Sequence, residues 1–235
     1  MIILKCQYLF NKILSKFFNI YTKLSFSQTG EDLIIQFIIG SLQLKKVTYL
    51  DVGTNHPFNM NNTFLMYLNG MNGVCVEPNP KLFNQIKRNR RRDKCLNVGV
   101  GINNEKTSTY YMMENSLLST FSEEEANRME KNGEAKILKS IPMELININD
   151  LIKFNFTTCP DVISLDAEGV DVEILNEFDF NTYRPKIFCI ETISYSTNLT
   201  GVKSEEIINL MSKNGYKIFA DTYVNTIFIE ENLFN

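Results

Sequence analysis

Short apolar runs recur along the chain, separated by segments in which apolar residues have helical spacing. The runs are typical of strands buried on both faces and cover 47–51, 73–77, 95–100, 161–165 and 185–191. Helical periodicity, with Asn, Gly or Pro at the segment ends, predicts helices over 32–39, 62–68, 80–86, 170–178 and 204–214. Strands that alternate with helices predict an α/β fold with a mostly parallel, doubly wound sheet.

Two further segments depart from this alternation. Residues 216–220 and 225–229 predict a closing antiparallel hairpin. In the middle of the chain, 107–113 and 136–145 alternate like strands and flank a polar helix near 122–131. We interpret this stretch as an inserted hairpin and helix beside the main sheet. Ser27 and Thr29 are candidate caps for the helix over 32–39.

The N-terminal segment 1–24 predicts an amphipathic helix that precedes a single domain at 25–235. It contains Lys5, Lys12, Lys16 and Lys23 and no acid, and its apolar residues at helical spacing are Leu9, Phe10, Ile13, Leu14, Phe17, Phe18 and Tyr21. It lacks the uninterrupted apolar core and cleavage site of a signal peptide. Two interpretations stay open: a helix packed on the domain or a partner subunit, which we favour, or a helix on an anionic membrane surface.

Composition narrows the class of protein. The 235 residues carry a formal net charge of -3, which argues against nucleic acid as a partner. The one basic run, 87–94, fits a solvated helix end. Five cysteines without a C-x-x-C pair indicate reduced thiols and a cytoplasmic protein, although membrane association through 1–24 stays open. With His56 as its single histidine, the chain cannot form a two-histidine zinc or iron site.

Acidic residues end two neighbouring predicted strands, at Asp51 and Glu77. The carboxyl ends of parallel strands form one rim, so both acids, with Pro78 and Asn79, should face the same ligand. Gly53 would let the backbone approach that ligand, and Glu77 could accept hydrogen bonds from ribose hydroxyls. The turn after Asp51 lacks the further glycines of a dinucleotide-binding loop. The combination predicts S-adenosylmethionine, an adenosine compound without phosphate, rather than a nicotinamide cofactor.

A second group of acids follows the strand over 161–165. Residues two apart in an extended segment point the same way, so Asp166 and Glu168 would face one site. Glu191, at the end of the next strand, could join them. Such carboxylates either supply a general base or bind a divalent metal such as Mg²⁺. His56, on the same rim, is the alternative base, or it orients cofactor or substrate.

Several motifs together resemble the FkbM family of methyltransferases. They are Ser27-Gln28-Thr29-Gly30-Glu31-Asp32, Asp51-Val52-Gly53-Thr54-Asn55-His56-Pro57, Asn62-Thr63, Gly73-Val74-Cys75-Val76-Glu77-Pro78-Asn79-Pro80 and Ile163-Ser164-Leu165-Asp166-Ala167-Glu168-Gly169. Their order and spacing extend over about 25–230. The resemblance implies a Rossmann-like class I methyltransferase fold. It also implies methyl transfer from S-adenosylmethionine to a hydroxyl of a sugar, a glycan or a polyketide-type natural product.

The resemblance also implies roles for individual residues. The segment with Ser27, Gln28, Gly30 and Glu31 would close over the cofactor, which Asp51 and Gly53 would line. Asn62 and Thr63 would touch its amino-acid end, and Glu77 would hold the ribose. Asp166 and Glu168 would face the methyl group and the acceptor. Three alternatives stay open: a nicotinamide-dependent oxidoreductase, a non-catalytic cofactor-binding scaffold, and an N-methyltransferase that needs no strong base.

Overall fold

The computed structural model describes residues 2–18, 22–167, 169–193 and 201–234. Its main element is a seven-stranded sheet. The strands in chain order are β1 (Thr48–Val52), β2 (Asn72–Val76), β3 (Lys94–Leu96), β7 (Val162–Leu165), β8 (Ile187–Glu191), β9 (Tyr216–Asp221) and β10 (Asn225–Glu230). Across the sheet their order is β3-β2-β1-β7-β8-β10-β9.

The strands from β3 to β8 run parallel, and β10 pairs antiparallel with both β8 and β9. Strand order reverses between β1 and β7, because the chain builds β1 to β3 outward and then returns to the centre. In such sheets ligands bind beyond the carboxyl ends of the strands at this switch point. The predicted α/β fold with a C-terminal antiparallel hairpin is confirmed.

A three-stranded sheet lies beside the main one, in the order β4-β6-β5. Its strands are β4 (Gly99–Val100), β5 (Thr107–Met113) and β6 (Ile137–Ile146), and helix α5 (Glu123–Lys131) lies between β5 and β6 in sequence. It has its own apolar cluster, which includes Met113, Ala126 and Met129. The predicted insertion of hairpin and helix is therefore present.

One strand prediction is wrong. The run 95–100 reads as a single strand, but β3 and β4 belong to different sheets. The break lies at Asn97, whose side-chain amide donates to the carbonyls of Glu77 and Pro78, each at 2.8 Å. These two hydrogen bonds draw the chain away from β2, and the next residues join the smaller sheet.

Helices cover both faces of the main sheet. They are α2 (Glu31–Ser41), α3 (Phe64–Leu68), α4 (Pro80–Asn89), α6 (Ile148–Asn155), α7 (Asp171–Glu177) and α8 (Glu205–Lys213). A further helix, α1 (Ile2–Phe18), contacts α3. One core contains Leu50 and Val52 with residues of α6, α7 and α8. The other contains Tyr49 with residues of α2 and α3. Successive β1 residues thus point to opposite faces, as in any strand. Within the described ranges no helix combines the length and apolarity needed to span a bilayer.

The N-terminus of α2 differs from prediction. Neither Ser27 nor Thr29 is its cap residue; the cap is Gly30, in the left-handed conformation with φ 98°. Ser27 still stabilises this turn, because its hydroxyl oxygen accepts from the amides of Gly30 at 3.1 Å and Asp32 at 3.3 Å. A glycine suits the position because a left-handed conformation is costly for residues with a Cβ.

Candidate functional site

The carboxyl ends of β1, β2 and β7 open into a pocket that encloses about 590 Å³ of space, including solvent at its mouth. Gly53, Glu77, Pro78 and Asp166 line its sheet side. The opposite wall comes from the inserted region and was missed from the sequence; it includes Val98, Gly99, Val100, Tyr110, Ser116, Ser119 and Phe121. We call this cavity the cofactor pocket.

Gly53 is required by a close approach between two strand ends. A Cβ at this position would lie 1.7 Å from the carbonyl oxygen of Asp166, and φ is 73°. Its amide and that of Thr54 both donate to the carbonyl of Val76 at 3.1 Å. We predicted that this glycine lets the backbone approach a ligand. It does line the cofactor pocket, but the group it closely approaches is the main chain of Asp166.

Glu77 is 4% exposed, and backbone amides hold its carboxylate. One oxygen accepts from Asn55 N at 2.7 Å and the other from Asn79 N at 2.8 Å. Burial raises the pKa of Glu77 to about 7, although the two amide hydrogen bonds oppose the rise. The fixed carboxylate could accept further hydrogen bonds from ribose hydroxyls. Asn79 itself caps α4, accepting from Lys81 N at 3.0 Å.

Asp51 and Thr63 lie in a buried polar network beneath the cofactor pocket. The Asp51 carboxylate accepts from the Thr63 hydroxyl at 2.6 Å and from the Arg90 guanidinium at 3.3 Å. Arg90 also donates to Asp93 at 2.7 Å. We call this group the Arg90 network; its members are Tyr49, Asp51, Asn61, Thr63, Arg90 and Asp93. Neither Asp51 nor Thr63 is among the residues that line the cofactor pocket, so cofactor contact by either remains a prediction.

Arg90 corrects our interpretation of the basic run 87–94 as a solvated helix end. Its side chain is 0% exposed, whereas Lys87, Arg88, Arg91 and Arg92 are exposed. Burial raises the pKa of Asp51 and the Arg90 charge opposes that rise. Each charge is therefore compensated inside the protein, which is the condition under which buried charges persist.

A second group of acids lies where β7 and β8 end, with Asp171 buried and Asp166 and Glu191 half-buried. The register pairs Leu165 with Ile190, so Asp166 and Glu191 follow on adjacent strands. Asp171, in the first turn of α7, accepts from Ala167 N at 2.9 Å. We call Asp166, Asp171 and Glu191 the acidic cluster. Asp171 is not among the residues predicted from the sequence, although its position in the first turn of a helix, two residues after Gly169, is a local signal for it.

The negative charges of the acidic cluster repel one another. Burial, the charges of Asp166 and Asp171, and a hydrogen bond with Asp166 raise the pKa of Glu191 to about 9. Burial and the charge of Asp166 raise that of Asp171 to about 7. Near neutral pH, Glu191 is therefore protonated and can donate to Asp166. Carboxyl groups with pKa values moved toward neutrality are typical of sites that exchange protons.

Asp171 and Glu191 also line a larger cleft between the inserted region and α7–α8. The cleft encloses about 1970 Å³ of space, including solvent at its mouth. It shares Val100, Ser119 and Phe121 with the cofactor pocket. Because Asp166 lines the pocket while its neighbours line the cleft, the acidic cluster lies at the junction of the two spaces.

The predicted segment 27–31 lies apart from the cofactor pocket. Ser27 and Gln28 line a separate shallow pocket with His56. Glu31 is fully buried and accepts from the Thr222 hydroxyl at 2.7 Å and from Asn225 at 3.0 Å. Burial raises the pKa of Glu31, but hydrogen bonds from Thr29 and Thr222 outweigh it and hold the pKa below its usual value. Closure of this segment over the cofactor stays a prediction.

His56 and Asn62 also have structural partners. The His56 Nδ1 accepts from the amides of Asn59 at 3.0 Å and Phe58 at 3.4 Å, and burial lowers the pKa of its ring. The side chain of Asn62 donates to the Ser164 hydroxyl at 3.3 Å. His56 lies with Gln28, outside the lining of the cofactor pocket and of the cleft.

The predicted metal ligands are Asp166, Glu168 and Glu191. Asp166 and Glu191 are neighbours, but Glu168 lies outside the described residues. Among the residues that are described, no group of three His, Cys, Asp or Glu side chains is arranged to hold a metal ion.

Comparisons with solved structures find methyltransferases at low identity. A precorrin-6y C5,15-methyltransferase from Geobacter metallireducens is 8% identical, with 84% of this chain and 87% of that chain covered and a TM-score of 0.42. The human methyltransferase 10 domain containing protein is 11% identical, with 94% and 92% covered and a TM-score of 0.45. An O-methyltransferase from Bacillus cereus in complex with SAH is 10% identical, with 96% and 88% covered and a TM-score of 0.42.

No curated protein matches the sequence. The methyltransferase FkbM domain, however, matches residues 51–218, well over half of the chain. This stretch contains the carboxyl ends of all three strands that form the cofactor pocket, the acidic cluster, and every member of the Arg90 network except Tyr49. A nicotinamide-dependent oxidoreductase is thereby ruled out in favour of a transferase that uses S-adenosylmethionine. The chain belongs to the FkbM family of S-adenosylmethionine-dependent methyltransferases.

Proposed function

We propose that this methyltransferase acts on a hydroxyl of a sugar, a glycan or a related natural product. The observation that carries the proposal is the acidic cluster at the junction of the cofactor pocket and the cleft. A hydroxyl is a poor nucleophile that must lose its proton during attack, so methyl transfer to its oxygen needs a nearby base. A free amine needs no such base, which disfavours N-methylation.

The residues of the cofactor pocket fit S-adenosylmethionine. Glu77 would hold the ribose hydroxyls, since its two oxygens are already oriented by backbone amides. Leu82, Val98 and Phe121 line the same pocket and would offer apolar surface to the adenine. The acids near the pocket suit the sulfonium cation of this cofactor. Because the cofactor carries no phosphate, the pocket needs no phosphate-binding loop. When bound, this cofactor supplies an electrophilic methyl group on its sulfonium.

Asp166 is the proposed general base, because it alone of the acidic cluster lines the cofactor pocket. The acceptor hydroxyl would lie in the cleft and donate its proton to the Asp166 carboxylate as the oxygen attacks. Glu191, protonated near neutral pH, would donate a hydrogen bond to Asp166 and keep that carboxylate oriented. Positioning of the acceptor oxygen would supply much of the remaining rate.

The lining of the cleft supports a polyhydroxylated acceptor. Sugars are bound through many hydrogen bonds, and the cleft offers hydroxyl, carboxylate and guanidinium groups from Glu105, Ser108, Thr120, Ser122, Glu125, Arg128 and Ser204. Apolar residues such as Ile102 and Met129 lie among them.

All five cysteines are free thiols, which supports the proposed cytoplasmic location.

Methyl transfer by four variants tests this proposal. We expect Asp166→Asn to lower turnover by roughly 10²–10⁴-fold, the usual contribution of a general base. Glu168→Gln and His56→Ala test the alternative bases, and exposed Glu173 on α7 offers a matched control, Glu173→Gln. The readout is a mass shift of one methyl group in a panel of sugar acceptors.

Near-wild-type turnover of Asp166→Asn would refute its role as base, and a selective loss in Glu168→Gln or His56→Ala would reassign it. Turnover with and without a chelator tests whether Asp166, Glu168 and Glu191 bind a divalent metal such as Mg²⁺. A wild-type protein that binds S-adenosylhomocysteine but methylates no hydroxyl in the panel, yet methylates amines, would overturn the choice of acceptor. Binding without any transfer would favour the scaffold alternative.

A further inference from the structure

The N-terminal helix α1 presents its apolar face to solvent. Six large apolar side chains on it are more than half exposed, with Ile3 at 79% and Phe17 at 73%. The others are Leu9, Phe10, Ile13 and Phe18. At 100° per residue, Leu9, Ile13, Phe17, Phe10 and Ile3 fall on one arc of roughly 120°. We call these five residues the apolar arc.

A different side of α1 contacts the domain. The Tyr8 hydroxyl donates to Asn69 at the end of α3, and the Lys5 ammonium lies 5.6 Å from the centroid of the Tyr67 ring. Leu4, Tyr8 and Asn11 are half-buried. The helix therefore has a fixed orientation, and the interpretation that its apolar residues pack on the domain does not hold for the apolar arc.

Lysines border the apolar arc. Lys5, Lys12 and Lys16 fall on adjacent positions along one of its edges, and Lys12 and Lys16 are exposed. Lys23 follows shortly after the helix, and residues 1–24 include no acid. A second copy of the chain packed antiparallel through the same arc would bring two lysine rows together, and residues 1–24 offer no acid to compensate their charge. Anionic lipid headgroups would instead neutralise them.

We propose that α1 binds the surface of a membrane that contains anionic lipids. The apolar arc would enter the boundary between headgroups and acyl chains, and the lysines would contact the headgroup phosphates and carboxylates. The helix lies on the bilayer and does not cross it, since 17 residues interrupted by lysines are too short and too charged.

The docked orientation would bring one edge of the domain toward the membrane. Leu4 of α1 lines the shallow pocket that contains Ser27, Gln28 and His56. These residues belong to the segments that the family resemblance assigns to the site. Because Leu4 is on the side of α1 that faces the domain, binding through α1 would place the helix between this pocket and the lipid surface, independently of which hydroxyl is methylated.

Flotation of the full chain with vesicles tests the proposal. One set of vesicles contains phosphatidylcholine alone, and in the other set part of it is replaced by phosphatidylserine. We expect the wild-type protein to float with the anionic vesicles and to be released by salt. Phe10→Ser with Phe17→Ser should lower the bound fraction by roughly tenfold or more, and Lys12→Glu with Lys16→Glu should abolish the preference for phosphatidylserine.

The matched control is Phe154→Ser, since Phe154 on α6 is 68% exposed and lies outside α1. It should float like the wild-type protein. Unfolding midpoints check that all variants are folded. Wild-type protein that stays unbound, or double phenylalanine variants that bind normally, would overturn the proposal. A concentration-dependent dimer that Phe10→Ser with Phe17→Ser dissociates, without vesicle binding, would show that the arc joins two copies of the chain.

Discussion

Two groups of carboxylates, the Arg90 network and the acidic cluster, differ in how their charge is compensated. In the Arg90 network, Asp51 and Asp93 both form ion pairs with one fully buried guanidinium. Within the described chain, no ion pair includes Asp171 or Glu191 of the acidic cluster. The first group keeps a compensating cation beside its carboxylates, whereas in the second burial and mutual repulsion raise the pKa of Asp171 to about 7 and that of Glu191 to about 9. The difference separates a structural use of buried acids from a chemical one.

Removal of the cation from the Arg90 network should have the largest effect on stability. Arg90→Met leaves Asp51 and Asp93 buried without a compensating charge, which typically costs about 3–5 kcal/mol. The exposed neighbour Arg91 supplies the control, and Arg91→Met should change stability by no more than about 0.5 kcal/mol. Urea unfolding of both variants measures the difference. Equal stability of the two would mean that the network does not stabilise the fold.

The buried carboxylate of Glu77 is stabilised in a third way, by hydrogen bonds from backbone amides, in contrast to the ion pairs of the Arg90 network and the raised pKa values of the acidic cluster. In Glu77→Gln an amide nitrogen replaces one oxygen and cannot accept the hydrogen bond from Asn55 or Asn79. Hydrogen bonds to charged groups contribute about 1.5–3 kcal/mol, so we expect S-adenosylhomocysteine to bind roughly 10–100-fold more weakly. Calorimetric titration measures this. Asp51→Asn is the comparison, and an equal loss of affinity there would argue that the Arg90 network also forms part of the cofactor site.

Glu191 should make stability fall as pH rises from 7 to 9. Its pKa is about 9 in the folded protein and about 4.5 when unfolded, so over this range the folded state binds the extra proton. Asp171 and Glu77, with pKa values of about 7, contribute mainly below this range. The decline should approach about 1.4 kcal/mol per pH unit and be reduced in Glu191→Gln. Parallel curves for wild type and variant would contradict the raised pKa.

Much of the fold could be predicted, because strands and helices leave local periodic signals. The contacts of single residues between these elements were harder to predict. The run 95–100 reads as one strand because nothing local marks the hydrogen bonds from Asn97 that divide it. Arg90 looked like its exposed neighbours, because its partners Asp51 and Asn61 lie 39 and 29 residues away in sequence. Asp171 was overlooked because only the packing of α7 against β7 and β8 brings it to the other two acids.

The sequence by itself determined the alternation of strands and helices, the acids at the strand ends and the family, since these depend on local patterns and spacing. The tertiary structure alone decided which acids share a cation and which share a proton. Both pairings depend on side chains from segments distant in sequence that come into contact in the folded protein. It also decided the orientation of α1. An amphipathic pattern shows that a helix has an apolar face, but only the contacts of Tyr8 and Lys5 with α3 turn that face toward solvent.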